Sequence, residues 1–333
     1  MKRLLWLCQV ILLCLFSAKA LAVNTNSTLT VYTYSSFTSK WGPGPQLTKL
    51  FEKQCHCHIN WVGLDDGVSV LNRLRLERSH TKADAIVGLD TNLMYSAEKL
   101  KLVAPHQLDT ATDNLTIQWH NKYFIPYDRG QFAFVYNRKK LANPPHSLKD
   151  LVDNFKGTII YEDPRTSTPG LGLLLWVKAV YGDKAPQAWA KLAKKTVTVT
   201  KSWDDAYGMF LKGQADMVLS YTTDSAYHKI EEHNSDYLAA KFAEGNYQQI
   251  EVAGISAYAK HKKLAREFLQ FLLTPQAQRI IALNNWMLPV RKGVKLPEAF
   301  SEIIHPKALM LPAAQVAKNR QNWIRQWRNA VSQ

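Results

Sequence analysis

The chain has 333 residues and a formal charge of +15, long enough for two lobes with separate cores. Hydrophobic residues make up 46% of it, an ordinary share for a soluble globular protein. Lys and Arg are scattered, with no basic run interleaved with aromatics; this favours a solvated basic surface, such as one facing an anionic membrane, over a nucleic-acid footprint.

The first residues, MKRLLWLCQVILLCLFSAKALA, begin with Lys2 and Arg3, continue in an apolar run from Leu4 to Phe16, and end small-x-small at Ala20-Leu21-Ala22. This predicts a secretory signal, residues 1–22, cleaved after Ala22. The apolar run is too short to span a membrane, and Cys14 lacks the preceding small residue of a lipoprotein signal. Cleavage removes Lys2, Arg3 and Lys19, taking the formal charge from +15 to +12. A soluble exported protein is expected.

Downstream, apolar strands alternate with amphipathic helices. TLTVYTY (28–34) reads as a strand and PQLTKLFEKQ (45–54) as a helix. KQCHCHIN then offers Cys55, His56, Cys57 and His58. A structural zinc site needs a second ligand cluster, and none follows. A buried or vicinally oxidised cysteine pair in an oxidising compartment is favoured over a metal site. HINWVGL is a strand and GVSVLNRLRLER a helix; ADAIVGL is a strand and TNLMYSAEKL a helix. This rhythm predicts a mainly parallel sheet flanked by helices.

The pattern changes at YFIPYDRGQFAFVYN (123–137), which reads as two extended pieces without a helix between them. A second α/β set runs from GTIIY to ADMVLSY. YQQIEVAGISAYA (247–259) is again extended, and helices return in KLAREFLQFLLT and PQAQRIIALNN. Two extended connectors around a central α/β block predict two lobes joined by crossing strands: 23–127 with 256–333, and 128–255. The last segment (313–331) reads as an amphipathic helix packed through Val316, Trp323, Ile324 and Trp327.

In open α/β sheets ligands sit beyond the carboxyl ends of strands. Tyr34, Ser35, Ser36 and Trp41 follow the first strand, and Asp65, Asp66 and Gly67 the second. Later strands are followed by Thr166-Ser167-Thr168, by Ser202-Trp203, and by Tyr221-Thr222-Thr223-Asp224 with Tyr227; Asn285-Trp286 come last. Aromatics beside hydroxyls at strand and helix edges suit a flat, polar small molecule. Asp66 also reads as a helix cap, Thr168 before Pro169 as a cap rather than a ligand contact, and Ser202 with Asp205 as a variant capping box. Catalytic signatures such as G-x-S-x-G and H-E-x-x-H are absent from the sequence.

VYTYSSF, WGPGP, DDGVSVLNRLR, YEDPRTSTPGLGLLLW, AVYGDKAPQAWAKLAKKTVTVTKSW, LSYTTDSAY and NNWMLPV closely resemble the bacterial periplasmic thiamine-binding proteins. The resemblance covers nearly all of the mature chain. It implies a two-lobe periplasmic binding fold with two crossing hinge strands. It also implies thiamine, thiamine monophosphate and thiamine diphosphate as ligands, no cofactor, and delivery to an inner-membrane ABC permease with its ATPase. A periplasmic monomer is expected. Carried over by motif, the ligand residues are Asp66, Gly67, Ser167, Thr168, Trp203, Tyr221, Thr222, Thr223 and Asp224, with Tyr34, Tyr227 and Trp286 beside them. The resemblance puts the hydroxyethyl or phosphate end of the ligand at Ser167-Thr168-Pro169. This chain has Ser35 where the family pattern often has Asp, and Asp224-Ser225 where it has Ser-Pro. Alternatives are the same fold binding a polyamine or ferric ion, or a thiamine-cleaving enzyme. Polyamine sites want several carboxylates among the aromatics, and the residues above supply Asp66 and Asp224. Ferric sites want paired tyrosines, and no Tyr-Tyr dipeptide occurs. The enzyme would need a cysteine nucleophile at the cleft.

Overall fold

A computed structural model describes residues 27–110 and 114–332; the predicted signal segment lies outside the described residues. The apolar runs become β1 (Thr28–Tyr34), α1 (Gly44–Cys55), β2 (His58–Leu64), α2 (Gly67–Glu77), β3 (Ala85–Asp90), α3 (Thr91–Lys99) and the short β4 (Val103–Ala104). β5 (Phe124–Asn137) leads into α4 (Leu148–Asp153), β6 (Ile159–Glu162), α5 (Thr168–Tyr181), α6 (Ala185–Ala193) and β7 (Thr196–Thr200). Next come α7 (Trp203–Leu211), β8 (Met217–Tyr221), α8 (Asp224–Glu231) and β9 (Tyr237–Ala239). The chain returns through β10 (Asn246–Ser256) to α9 (Lys262–Leu272), α10 (Pro275–Asn284), β11 (Leu288–Pro289), β12 (Ala308–Leu309) and α11 (Ala313–Val331).

The main path of the sheet runs β2-β1-β3-β10-β5-β8-β6-β7. β1 pairs in parallel with β2 and β3, and β6 in parallel with β7 and β8. Between these parallel sets, β10 and β5 run antiparallel to each other and to their outer neighbours. The extended stretch at 123–137, read from sequence as two pieces, is a single strand of 14 residues. Residues 124–131 of it pair with β10 in one lobe, and 132–136 pair with β8 in the other. One unbroken strand thus belongs to both lobes.

Alternation along β1 serves two cores, because successive strand side chains face opposite sides. Leu29 and Val31 join Phe51, Phe268 and Phe271, whereas Tyr32 joins Val68 and Leu71. β3, apolar up to its last residue, is buried at every position, as a strand covered by helices on both faces must be.

The C-terminal helix packs largely through its predicted apolar stripe. Val316, Trp323 and Trp327 are buried as predicted, but Ile324 is only partly so, and Arg320 is buried instead. Trp327 Nε1 donates to the Tyr161 hydroxyl at 3.2 Å. The Arg165 guanidinium lies over the Trp327 ring, and the Lys178 ammonium over Trp323, each at 5.7 Å. Arg320 meets the field of Asp90 at the end of β3. α11, expected with the first lobe, therefore also touches the second. Replacing Trp327 by Ala removes a buried indole and should cost about 3–5 kcal/mol in denaturant unfolding. A loss under about 1 kcal/mol would show that this helix end contributes little to the core.

Candidate functional site

Residues beyond the carboxyl ends of β1, β2, β7 and β8 line one cavity of about 520 Å³, within the range of small-ligand sites. Its floor comes from the crossing strands. Their antiparallel register sets Glu251 of β10 opposite Asp128 of β5, and both side chains are buried. Tyr34 and Tyr127 donate their hydroxyls to Glu251 Oε2 at 2.8 and 2.9 Å. Asn285 Nδ2 donates to Asp128 Oδ2 at 2.8 Å. Gln249 Nε2 donates to Glu251 Oε1 at 3.0 Å, while its own Oε1 accepts from the Tyr221 hydroxyl at 2.7 Å. A continuous network thus links Tyr34 in one lobe to Tyr221 in the other. Burial raises the pKa of both carboxyls, and for Asp128 the charge of Glu251 adds to it.

More acid surrounds this floor. Asp66 caps α2, accepting from Gly67 N at 2.8 Å, and it also accepts the Ser167 hydroxyl at 2.9 Å. Burial outweighs those bonds and pushes its pKa up to about 6. Asp224, at the start of α8, is pushed up to about 7 by burial; its Oδ2 is buried without a hydrogen-bond partner. Glu162 is fully buried and raised by burial, then by the charge of Asp66. Asp65, Asp204 and Glu231 complete the lining, and no Lys or Arg is among the described residues that line it. The sequence reading supplies only Asp66 and Asp224 as site carboxylates. The cavity holds more, so a shortage of acids does not by itself argue against a polyamine.

Aromatic rings frame the acids. Trp203 opens α7, stacks on Tyr207 with centroids 5.1 Å apart, and donates Nε1 to Ser220 Oγ at 2.8 Å. Trp41 faces it from the other lobe at 6.3 Å. Tyr227 meets Trp286 edge-on at 5.1 Å, again across the cleft. Ser69 N donates to Thr166 O at 3.1 Å, Asn72 Nδ2 to Arg165 O at 3.2 Å, and Lys201 pairs with Asp65 at 3.3 Å. The two lobes are closed on each other.

Of the residues carried over by motif, Tyr34, Asp66, Trp203, Tyr221, Asp224, Tyr227 and Trp286 line the cavity. Gly67, Ser167, Thr168, Thr222 and Thr223 are buried but lie outside the lining. Gly67 sits in the seam between lobes: a Cβ there would stand 2.1 Å from Gly88 O and 2.5 Å from Thr168 Oγ1. The predicted helix caps change as well. Ser167, not Thr168, caps α5, accepting from Gly170 N at 3.3 Å; Thr168 is the first helical residue. Ser202 precedes α7, but its hydroxyl donates to Asp205 Oδ2 at 2.9 Å instead of capping. Cys55 and Cys57 are joined as a disulfide in the turn between α1 and β2.

Sequence reasoning missed Glu251 and Tyr207. A lone Glu inside the apolar run QIEVAGI was the available signal, since an acid is rarely buried without a purpose. Tyr207 lies mid-helix and gave none.

Residues 46–308 match the family described as bacterial extracellular solute-binding protein. The thiamine-binding periplasmic protein of Escherichia coli (strain K12) is 54% identical over 306 residues, covering 91% of this chain and 93% of that protein. The protein of the same description from Haemophilus influenzae is 44% identical over 322 residues, 96% of each chain. A solved structure of a periplasmic thiamin binding protein superposes with a TM-score of 0.90 at 52% identity, covering 93% of this chain and 98% of that one. A ferric binding protein from Campylobacter jejuni shares the fold, with a TM-score of 0.77 at 19% identity over 91% and 99% of the two chains. With this two-lobe architecture and a family match across most of its length, the chain belongs to the bacterial extracellular solute-binding proteins.

Proposed function

We propose that this chain is a periplasmic receptor for thiamine that hands its ligand to an inner-membrane ABC permease. The observation that carries the reading is a cleft walled by indoles and phenols whose carboxylates are held out of water. Thiamine offers the complement: a cationic thiazolium, a flat aminopyrimidine and a short hydroxyethyl arm. Aromatic faces attract the cation and stack on the ring, and desolvated carboxylates attract positive charge more strongly than exposed ones. The names of the 44–54% identical relatives support the same ligand.

Thiamine monophosphate and diphosphate share the cation and ring, and we include them as ligands. With no Lys or Arg among the described lining residues, their phosphates are expected towards the rim, near Lys201 and Asp65. The hydroxyl of Ser167, assigned to that end by resemblance, is engaged by Asp66. The chain works as a monomeric receptor without a cofactor and not as an enzyme; Cys55 and Cys57, bonded to each other away from the cavity, offer no thiolate. The hinge lies within β5 and β10, dividing the chain into 23–127 with 256–333, and 128–255. A ligand touching both lobes favours the closed form by its differential affinity.

Titration calorimetry with thiamine tests the ligand, and no binding at millimolar thiamine would overturn the assignment. Trp203→Ala should weaken binding by about 1–3 kcal/mol, the scale of an aromatic or cation contact. Unchanged affinity with a large drop in melting temperature would make Trp203 a core residue.

The raised carboxyls fix a pH dependence. In the ligand-free cleft Asp66 and Asp224 keep protons up to about 6 and about 7. A bound cation favours their ionised forms and lowers both values, so binding in this window releases protons. Affinity should therefore fall as pH drops from 7.5 to 5.5, by up to about tenfold per pH unit for each carboxylate that must ionise. Calorimetry in two buffers of different ionisation enthalpy reads both the affinity and the proton release. Equal affinity at the two pH values, with no protons released, would contradict the role given to these acids.

A further inference from the structure

Behind the cavity wall a chain of polar groups runs outward from Tyr207. Its hydroxyl lies 2.7 Å from His228 Nε2, and His228 Nδ1 lies 2.7 Å from Glu232 Oε2. His228 is fully buried, whereas the Glu232 side chain is 37% exposed. The imidazole is clamped by rings: Tyr237 stacks on it at 4.0 Å, Tyr227 meets it edge-on at 4.9 Å, and Tyr207 lies parallel at 6.0 Å. Glu232, Tyr207, Tyr227 and Tyr237 are the titratable groups facing it. Burial also lowers its pKa and favours the neutral ring.

The donor count fixes the directions. The Glu232 carboxylate can only accept, so Nδ1 carries the imidazole proton. Nε2 is then a lone-pair acceptor, and the Tyr207 O–H must donate to it. Tyr207 has one such proton and two acceptors nearby, because the Asp224 carboxyl also lies beside its hydroxyl. A proton given to His228 is not available to Asp224. Asp224 lines the cavity, is 4% exposed, and has an Oδ2 without a hydrogen-bond partner.

We propose that His228 is a positioning residue that sets the hydrogen-bond polarity of the cavity wall. Anchored by Glu232, it takes the Tyr207 proton, so that Asp224 keeps an oxygen free for a donor or cation on the ligand. Without this anchor Tyr207 turns its O–H to Asp224, satisfies it internally, and competes with the ligand. Neither His228 nor Glu232 touches the ligand in this scheme. The binding part of the test rests on the thiamine reading; the tautomer part does not.

Ring nitrogen-15 NMR of the full ligand-free chain at pH 7.5, with His228 identified as the imidazole perturbed by Glu232→Gln, should show a protonated Nδ1 and an unprotonated Nε2. A protonated Nε2 would overturn the proposal. In thiamine titrations His228→Phe, which keeps a flat ring against Tyr237, should bind at least about tenfold more weakly, the scale of a lost buried hydrogen-bond acceptor. Adding Tyr207→Phe to it removes the competing donor and should recover most of that loss. A double variant as weak as His228→Phe alone would mean that His228 acts through packing, and the proposal fails. If His228→Phe does not fold, Glu232→Met, which offers Nδ1 no acceptor, takes its place, with the same loss and the same rescue expected. A wild-type chain that ignores thiamine would sink the assigned function, while the tautomer would still decide this inference.

Discussion

Carboxylates kept out of water at the meeting point of the two lobes are the constraint on which the rest of the structure depends. Glu251 and Asp128 face each other across the crossing strands, with Asp66 and Asp224 on the walls and Glu162 buried behind them. A buried carboxylate without a cation is costly and protonates instead. In a chain with a formal charge of +15, basic residues could have been brought in to neutralise these acids. The cavity lining contains none among the described residues. Tyrosines, an asparagine and a glutamine do the stabilising, and they hold the acids in place without pairing them to a fixed positive charge. Such a site is organised in advance for a cation, and the ligand provides what the protein withholds.

The same network explains why binding and closure belong together. β5 and β10 are at once the connection between lobes and the floor of the site. Tyr34 reaches Glu251 from one side, and Tyr221 reaches it through Gln249 from the other. Across the mouth, Trp41 faces Trp203, and Tyr227 meets Trp286. A ligand between these pairs touches both lobes and the strands that join them. α11 adds a restraint on the outside, with contacts from Asp90 to Tyr161. The absence of side-chain room at Gly67, beneath Gly88 O and Thr168 Oγ1, lets the lobes meet closely beside Asp66.

Much of this was legible in the sequence, for reasons that also mark where legibility stopped. Apolar runs such as TLTVYTY and ADAIVGL announce strands because burial on both faces demands them. The aromatics lining the cleft, Trp203, Tyr221 and Trp286, follow strand or helix ends, where ligand sites of this architecture sit. Thr168 before Pro169 reads as the cap, but Pro is also at home one residue further into the first turn, and Ser167 takes the cap. Tyr207, mid-helix, became a site residue through tertiary geometry alone, whereas Glu251, mid-strand, was marked in the sequence only by its isolation in an apolar run; the facing of both towards the cavity depends on how the lobes close. The same holds for α11, whose apolar stripe was visible while its two partners were not.

The most direct test of the central claim compares thiamine with a neutral analogue of the same shape, its thiazolium replaced by an uncharged ring, by titration calorimetry at pH 7.5. Removing one partner of a buried charge pair costs about 3–5 kcal/mol, so the neutral analogue should bind at least about a hundredfold more weakly than thiamine. Equal affinities would show that the buried carboxylates do not select the cation, and would contradict the reading of the cleft as a site built around missing positive charge.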